Sequence, residues 1–96
     1  MILYTLLKMD GTEEELAQVP KEVELSQLYK WLNCTTIELI PNAYYKEDWA
    51  NEAIVWGDEE GRFNSENKRN PHMKVLNDNT GAEWDCVGNL ILQTEC

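Results

Sequence analysis

The chain has 96 residues, 43% of them apolar and 27% charged, and its eighteen acids against eight bases give a formal charge of -10 at pH 7. A chain this short buries roughly 60 to 65% of the surface its unfolded form exposes, which makes one domain with one modest core and leaves any site on the surface or at an interface. Its apolar share excludes a disordered chain, and the sign of its field disfavours nucleic-acid backbones and anionic membranes as partners while speeding encounter with basic ones.

The opening ILYTLLKM is rich in strand formers, and Asp10-Gly11 after it is a hairpin turn signal, so residues 2 to 8 are expected to pair with roughly 13 to 19. The second arm, TEEELAQV, is glutamate-rich and predicts an edge strand whose charges discourage further pairing. Pro20 ends that arm. Leu25, Leu28 and Leu32 then recur at helical spacing, predicting a short amphipathic helix over about 24 to 33, with Ser26 or an earlier polar residue near its cap and with Tyr29 and Trp31 at the core's edge. The β-branched TTIELI, residues 35 to 40, predicts a strand, expected to be central, closed by the Pro41-Asn42 turn signal.

Residues 42 to 52 form a polar aromatic connection without a clear period. AIVWG, residues 53 to 57, is the next strand, and it runs into Asp58-Glu59-Glu60-Gly61, where a turn with Gly61 at positive φ is expected. RFNSENKRN is loop-like, Pro71 is placed to start a short helix through HMKVL, residues 77 to 81 read as a turn, and DCVGNLILQT closes the chain as one last strand. Strands and helices without strict alternation predict an α+β fold, a small mostly antiparallel sheet covered by one or two short helices.

Charge is unevenly distributed. Residues 1 to 60 carry thirteen acids and four bases, whereas Arg62, Lys68, Arg69 and Lys74 face only Glu66 between residues 61 and 76. The acids Glu13, Glu14, Glu15, Asp58, Glu59 and Glu60 are therefore the candidate surface for a basic partner, with Trp56 or Trp84 as an anchor, since aromatics carry much of the energy at interfaces. The bases Arg62, Lys68, Arg69 and Lys74 form the alternative site, for a small anionic ligand such as a nucleotide.

Catalytic and metal signatures are not found. Counting an EF-hand loop from Asp58 puts Arg62 at position 5 and Phe63 where glycine must be, which rules that motif out. A looser metal set of Asp58, Glu60 and Asp85 is the remaining alternative. His72 is the only histidine, the serines have no nucleophile elbow, and the scattered glycines make no phosphate loop, so a non-enzyme without cofactor or metal is expected. Cys34, Cys86 and Cys96 are an odd set without zinc-ligand spacing, which points to a reducing compartment. No signal peptide and no run of about 18 apolar residues is present, so the cytosol is the expected location.

The order LYKWL, IELIP, a strand entering DEEGRFN, NP within NPHMKVL, and DCVGNLIL resembles a small family of phage, large-virus and plasmid proteins, domain of unknown function 3846. The resemblance spans about residues 25 to 92 and rests most on Asp58-Glu59-Glu60-Gly61 and Val87-Gly88-Asn89, while residues 42 to 52 depart from it. It implies a mobile-element origin and carries no functional residue with it. Small acidic proteins of such origin are often inhibitors that occupy the nucleic-acid-binding surfaces of host defence proteins, so the expected activity is non-enzymatic binding to such a host factor in the host cytosol. Sequestering a nucleotide, or a structural role in a virion, are the alternatives.

Overall fold

A computed structural model describes residues 1–40, 43–45, 54–61, 67–76 and 83–95, with the backbone alone for 43–45, 73–76 and 83–85. Within them the order is β1 (Ile2–Leu7), β2 (Glu13–Val19), α1 (Leu25–Leu32), β3 (Glu38–Leu39), β4 (Ala43–Tyr45), β5 (Ile54–Gly57), β6 (Arg69–Leu76), β7 (Glu83–Val87) and β8 (Leu90–Glu95). Five strands make a sheet in the order β2-β1-β8-β5-β3, and three make a second in the order β4-β6-β7. Every recorded pairing is antiparallel. This is a small α+β fold.

The hairpin forms as its sequence predicts. Ile2 opposes Val19 and Leu7 opposes Glu13, with one register shift near Tyr4 that accommodates Leu16. Gly11 sits at φ 96, and the amide of Thr12 and its hydroxyl both donate to Asp10 Oδ1, at 2.9 and 2.6 Å, closing the turn. β2 is the edge strand expected of its glutamates.

The period of two divides the sheet's side chains between two cores. On one face Leu7, Val55, Leu90 and Leu92 pack with Cys86, and Ile40 leans against them. On the other, Tyr4, Leu6 and Ile91 meet Leu28 of α1, with Trp31, Leu32, Ile37 and Trp56 around them. Tyr4 ties this face together: its ring lies 5.4 Å from that of Trp31, and its hydroxyl accepts the amide of Val23 at 3.1 Å.

The helix occupies the predicted stretch with different details. Its N-cap is Glu24, a polar residue ahead of Ser26, and it makes no side-chain cap bond. Asn33 ends it in the left-handed region at φ 52, letting Cys34 N reach Tyr29 O at 3.1 Å. Leu28 and Leu32 face the core, but Leu25 is 51% exposed.

Three expectations are corrected. The strand placed at 35 to 40 shrinks to Glu38–Leu39 and lies at the outer edge of its sheet, next to β5, rather than centrally. The central position goes to β8, whose Leu90, Ile91 and Leu92 are all buried, the apolar run of a strand covered on both faces.

The closing segment is not one strand. Gly88, at φ 81, turns the chain so that β7 joins β6 in the second sheet and β8 enters the first, and its amide is held by Lys68 O at 2.8 Å.

The helix expected from Pro71 is strand β6. Pro71 lacks an amide proton, and it is accommodated where the β6–β7 register shifts between Arg69 and Lys74. The 77–81 turn and most of the 42–52 connection lie outside the described residues.

Candidate functional site

The registers place the predicted acids at one end of the five-stranded sheet. One row runs Glu13, Leu7, Leu90, Gly57, Glu38, edge to edge, and the next runs Glu14, Leu6, Ile91, Trp56, Leu39. Asp58, Glu59 and Glu60 continue from β5 at the same end. Four strand spacings separate Glu13 from Glu38, about 19 Å, so the six acids and Glu38 border one surface rather than fill one pocket.

Their surroundings differ. Glu14 is ion-paired with Lys8 at 3.5 Å. Glu13 lies 3.8 Å from His72 Nδ1, while His72 Nε2 is 3.1 Å from the carbonyl of Thr12, which requires a proton on that nitrogen. Asp58 is a turn residue: its Oδ1 accepts the amide of Glu60 at 2.9 Å and the hydroxyl of Thr36 at 3.3 Å, and its carbonyl accepts Gly61 N at 3.0 Å. Glu15, Glu38, Glu59 and Glu60 are exposed, and none of them is ion-paired among the described residues. Gly61 does not take the positive φ expected of it; it is buried, with its carbonyl bonded by Asn67 Nδ2 at 2.9 Å.

Two groups show displaced acidity. Asp10 is held below the usual carboxylate range, first by the Thr12 hydroxyl and then by the Thr12 amide. Burial, and then the charge of Asp58, push the Cys34 thiol up, away from the activated thiolate that a nucleophile requires. A cavity of about 50 Å³ beside Glu38, Asp58 and Cys86 has room for about one or two water molecules, too little for a substrate. Among the described residues no three His, Cys, Asp or Glu side chains gather as a metal-holding group, and no helix is long and apolar enough to cross a membrane.

Trp56 is half-buried on the helix-bearing face, where its indole N–H donates to Gln93 Oε1 at 2.9 Å, so its ring is largely committed to the core. Beside it Leu39 is 55% exposed. Glu38 and Leu39 were not among the expected site residues, because a central strand would have hidden half of them; only their place at the sheet's edge brings them to the surface. Trp84 lies in β7, its side chain outside the described residues.

The alternative basic site is dispersed. Arg62 lies outside the described residues. Lys68 and Arg69 are exposed next to the acidic end, where the Lys68 amide donates to Met9 Sδ. Lys74 sits five residues beyond Arg69 on an extended strand, about 16 Å away, opposite Tyr44 and Asp85. A helix would have drawn these bases together; the strand separates them.

Comparison of the chain with protein-family models, with curated proteins and with solved structures finds no match.

Proposed function

We propose that this protein is a non-enzymatic binding protein that engages a basic protein through the acidic end of its five-stranded sheet. The observation that supports this reading is the set of exposed carboxylates at Glu15, Glu38, Glu59 and Glu60, which no cation among the described residues balances. Glu13 and Glu14 add to the border, although His72 and Lys8 draw on them. Leu39 beside Trp56 supplies the apolar contact, because charge steers encounter while desolvated apolar groups hold the complex.

The finer reading, a mobile-element inhibitor that covers the nucleic-acid-binding surface of a host defence factor in the cytosol, rests on the family resemblance and on the net charge of -10. The test is affinity capture from host lysate, with the captured protein identified by mass spectrometry. A partner with a basic nucleic-acid-binding face, released by salt and lost on Glu59→Lys with Glu60→Lys, is the expected outcome. Unchanged capture by that double variant rejects this surface.

A further inference from the structure

β3 is the last strand of its sheet, so among the described residues no strand pairs with its outer side. The Ile40 amide donates to Val55 O at 2.9 Å, one step beyond the register that sets Leu39 opposite Trp56 and Glu38 opposite Gly57. Bonded and non-bonded pairs alternate along an antiparallel ladder, so Leu39 and Trp56 are a non-bonded pair, and the N–H and C=O of Leu39 both point away from β5. Among the described residues nothing bonds either group. The Leu39 side chain, on the face of Trp56, is 55% exposed. The sheet's other edge differs: β2 is already met near its start by His72, through Thr12 O and Glu13.

A free donor and acceptor beside an exposed aliphatic side chain are what strand addition uses, an extended segment pairing with a sheet edge. Charge selects the occupant. Glu38 precedes Leu39 on this edge, and Glu59 and Glu60 follow β5 just beyond its pairing with Glu38. All three are exposed, and none is ion-paired among the described residues. They repel a second copy of this chain, whose charge is also -10, and attract a cationic segment. The period of two then sets a pattern. A residue added opposite Leu39 shares its face and is apolar, while the neighbour opposite Glu38 turns to the other face and is basic.

We propose that the outer edge of β3 accepts an extended segment of the partner protein, alternating basic and apolar residues, as an added strand bonded to the N–H and C=O of Leu39. This deepens the reading of the acidic end as the binding surface and rests on it.

The intact protein, ¹⁵N-labelled, is titrated with acetyl-Lys-Val-Lys-Val-Lys-Val-Lys-amide and with the same peptide N-methylated at its three central amides, which keeps charge and side chains but removes backbone donors. The first is expected to move the Leu39 amide resonance saturably and slow its hydrogen exchange, and the second to bind about tenfold more weakly. Leu39→Pro removes the outward N–H without touching a β3–β5 bond, whereas Leu39→Ala keeps it. The proline variant is expected to bind the first peptide about threefold or more below the alanine variant, with the Trp56 indole resonance reporting an intact fold. Should that variant misfold, the methylated peptide decides alone. Equal binding of the two peptides, lost on Glu59→Lys with Glu60→Lys, overturns strand addition and leaves the acidic end as a binding surface. An unmoved Leu39 amide overturns it too, as does protection of that amide by rising protein concentration alone, which assigns the edge to a second copy.

Discussion

Trp56 and Gln93 are joined across adjacent strands by the indole N–H and the amide oxygen, 2.9 Å apart, on the face that α1 covers. The bond is part-buried, with Gln93 itself buried, so breaking one side leaves the other short of a partner. Gln93→Leu is expected to destabilise the protein by about 1 to 3 kcal/mol, the cost of an unpaired buried donor. Trp56→Phe with Gln93→Leu should cost less than the sum of the two single changes, by about 1 kcal/mol. Urea unfolding of the four proteins measures this coupling, and additive losses would show that the bond contributes nothing.

Asn70 is expected to be the most sensitive polar position. Only 1% exposed, it donates to Leu7 O at 2.8 Å and Gly88 O at 2.9 Å, and its Oδ1 accepts the amide of His72 at 2.9 Å. It thereby fastens the start of β6 to both β1 and the turn between β7 and β8. Asn70→Ala orphans three backbone groups, an expected loss of about 3 kcal/mol or more and a fall in Tm of roughly 12 °C or more. Asn70→Asp turns a carboxylate toward two carbonyls. Burial then raises its folded pKa, so the penalty is relieved as pH falls through that raised value, where the protonated acid can donate, and the relief is complete once pH is below the ordinary carboxylate value. Thermal melts from pH 3 to 7 test that direction; a loss independent of pH would refute it.

The legible parts of this fold are the local ones. Asp10-Gly11 announces its hairpin because the turn chemistry and both arms lie within eighteen residues, and the leucine spacing of α1 is a local signal too. What escapes is long-range. Nothing local marks β8 as the strand that lies between β1 and β5, some ninety residues from one of its partners. Pro71 is equally compatible with the first turn of a helix and with a strand irregularity, and only the shifted β6–β7 register decides. The acidic end was visible in composition, but Glu38 and Leu39 joined it through strand order alone. Gln93 looked like an ordinary polar residue near a terminus, because its burial depends on Trp56 and Glu22, far away in the chain.

Gly88 has two reasons to be glycine. Its φ of 81 is in the region that side chains rarely adopt, and a Cβ there would stand 3.1 Å from Asn67 Nδ2. Gly88→Ala is expected to cost about 1 to 2 kcal/mol through backbone strain, with a further loss where the Asn67 amide is pushed from Gly61 O. Asn67→Ala in the same background removes the clash and leaves the strain, so it should not restore the parent's stability. Full restoration in chemical unfolding would assign the cost to crowding.

The last prediction concerns Cys34 and its neighbour Asp58. Burial is the larger cause of the raised thiol pKa and the Asp58 charge the second. Asp58→Asn retains an oxygen that can accept the Glu60 amide and the Thr36 hydroxyl, so the turn should survive while the charge disappears. The thiol pKa then falls part of the way toward its ordinary value, and a larger fraction is thiolate at any pH below it. Alkylation by iodoacetamide at pH 8, in a Cys96→Ser background to remove the C-terminal thiol, should accelerate by about two- to threefold, since one screened charge is withdrawn. Cys86 is buried and contributes little to the early rate. Because the burial contribution persists, Cys34 should still react more slowly than the same thiol in the urea-unfolded chain. A variant rate equal to or below the parent's would show that Asp58 does not act on this thiol through its charge.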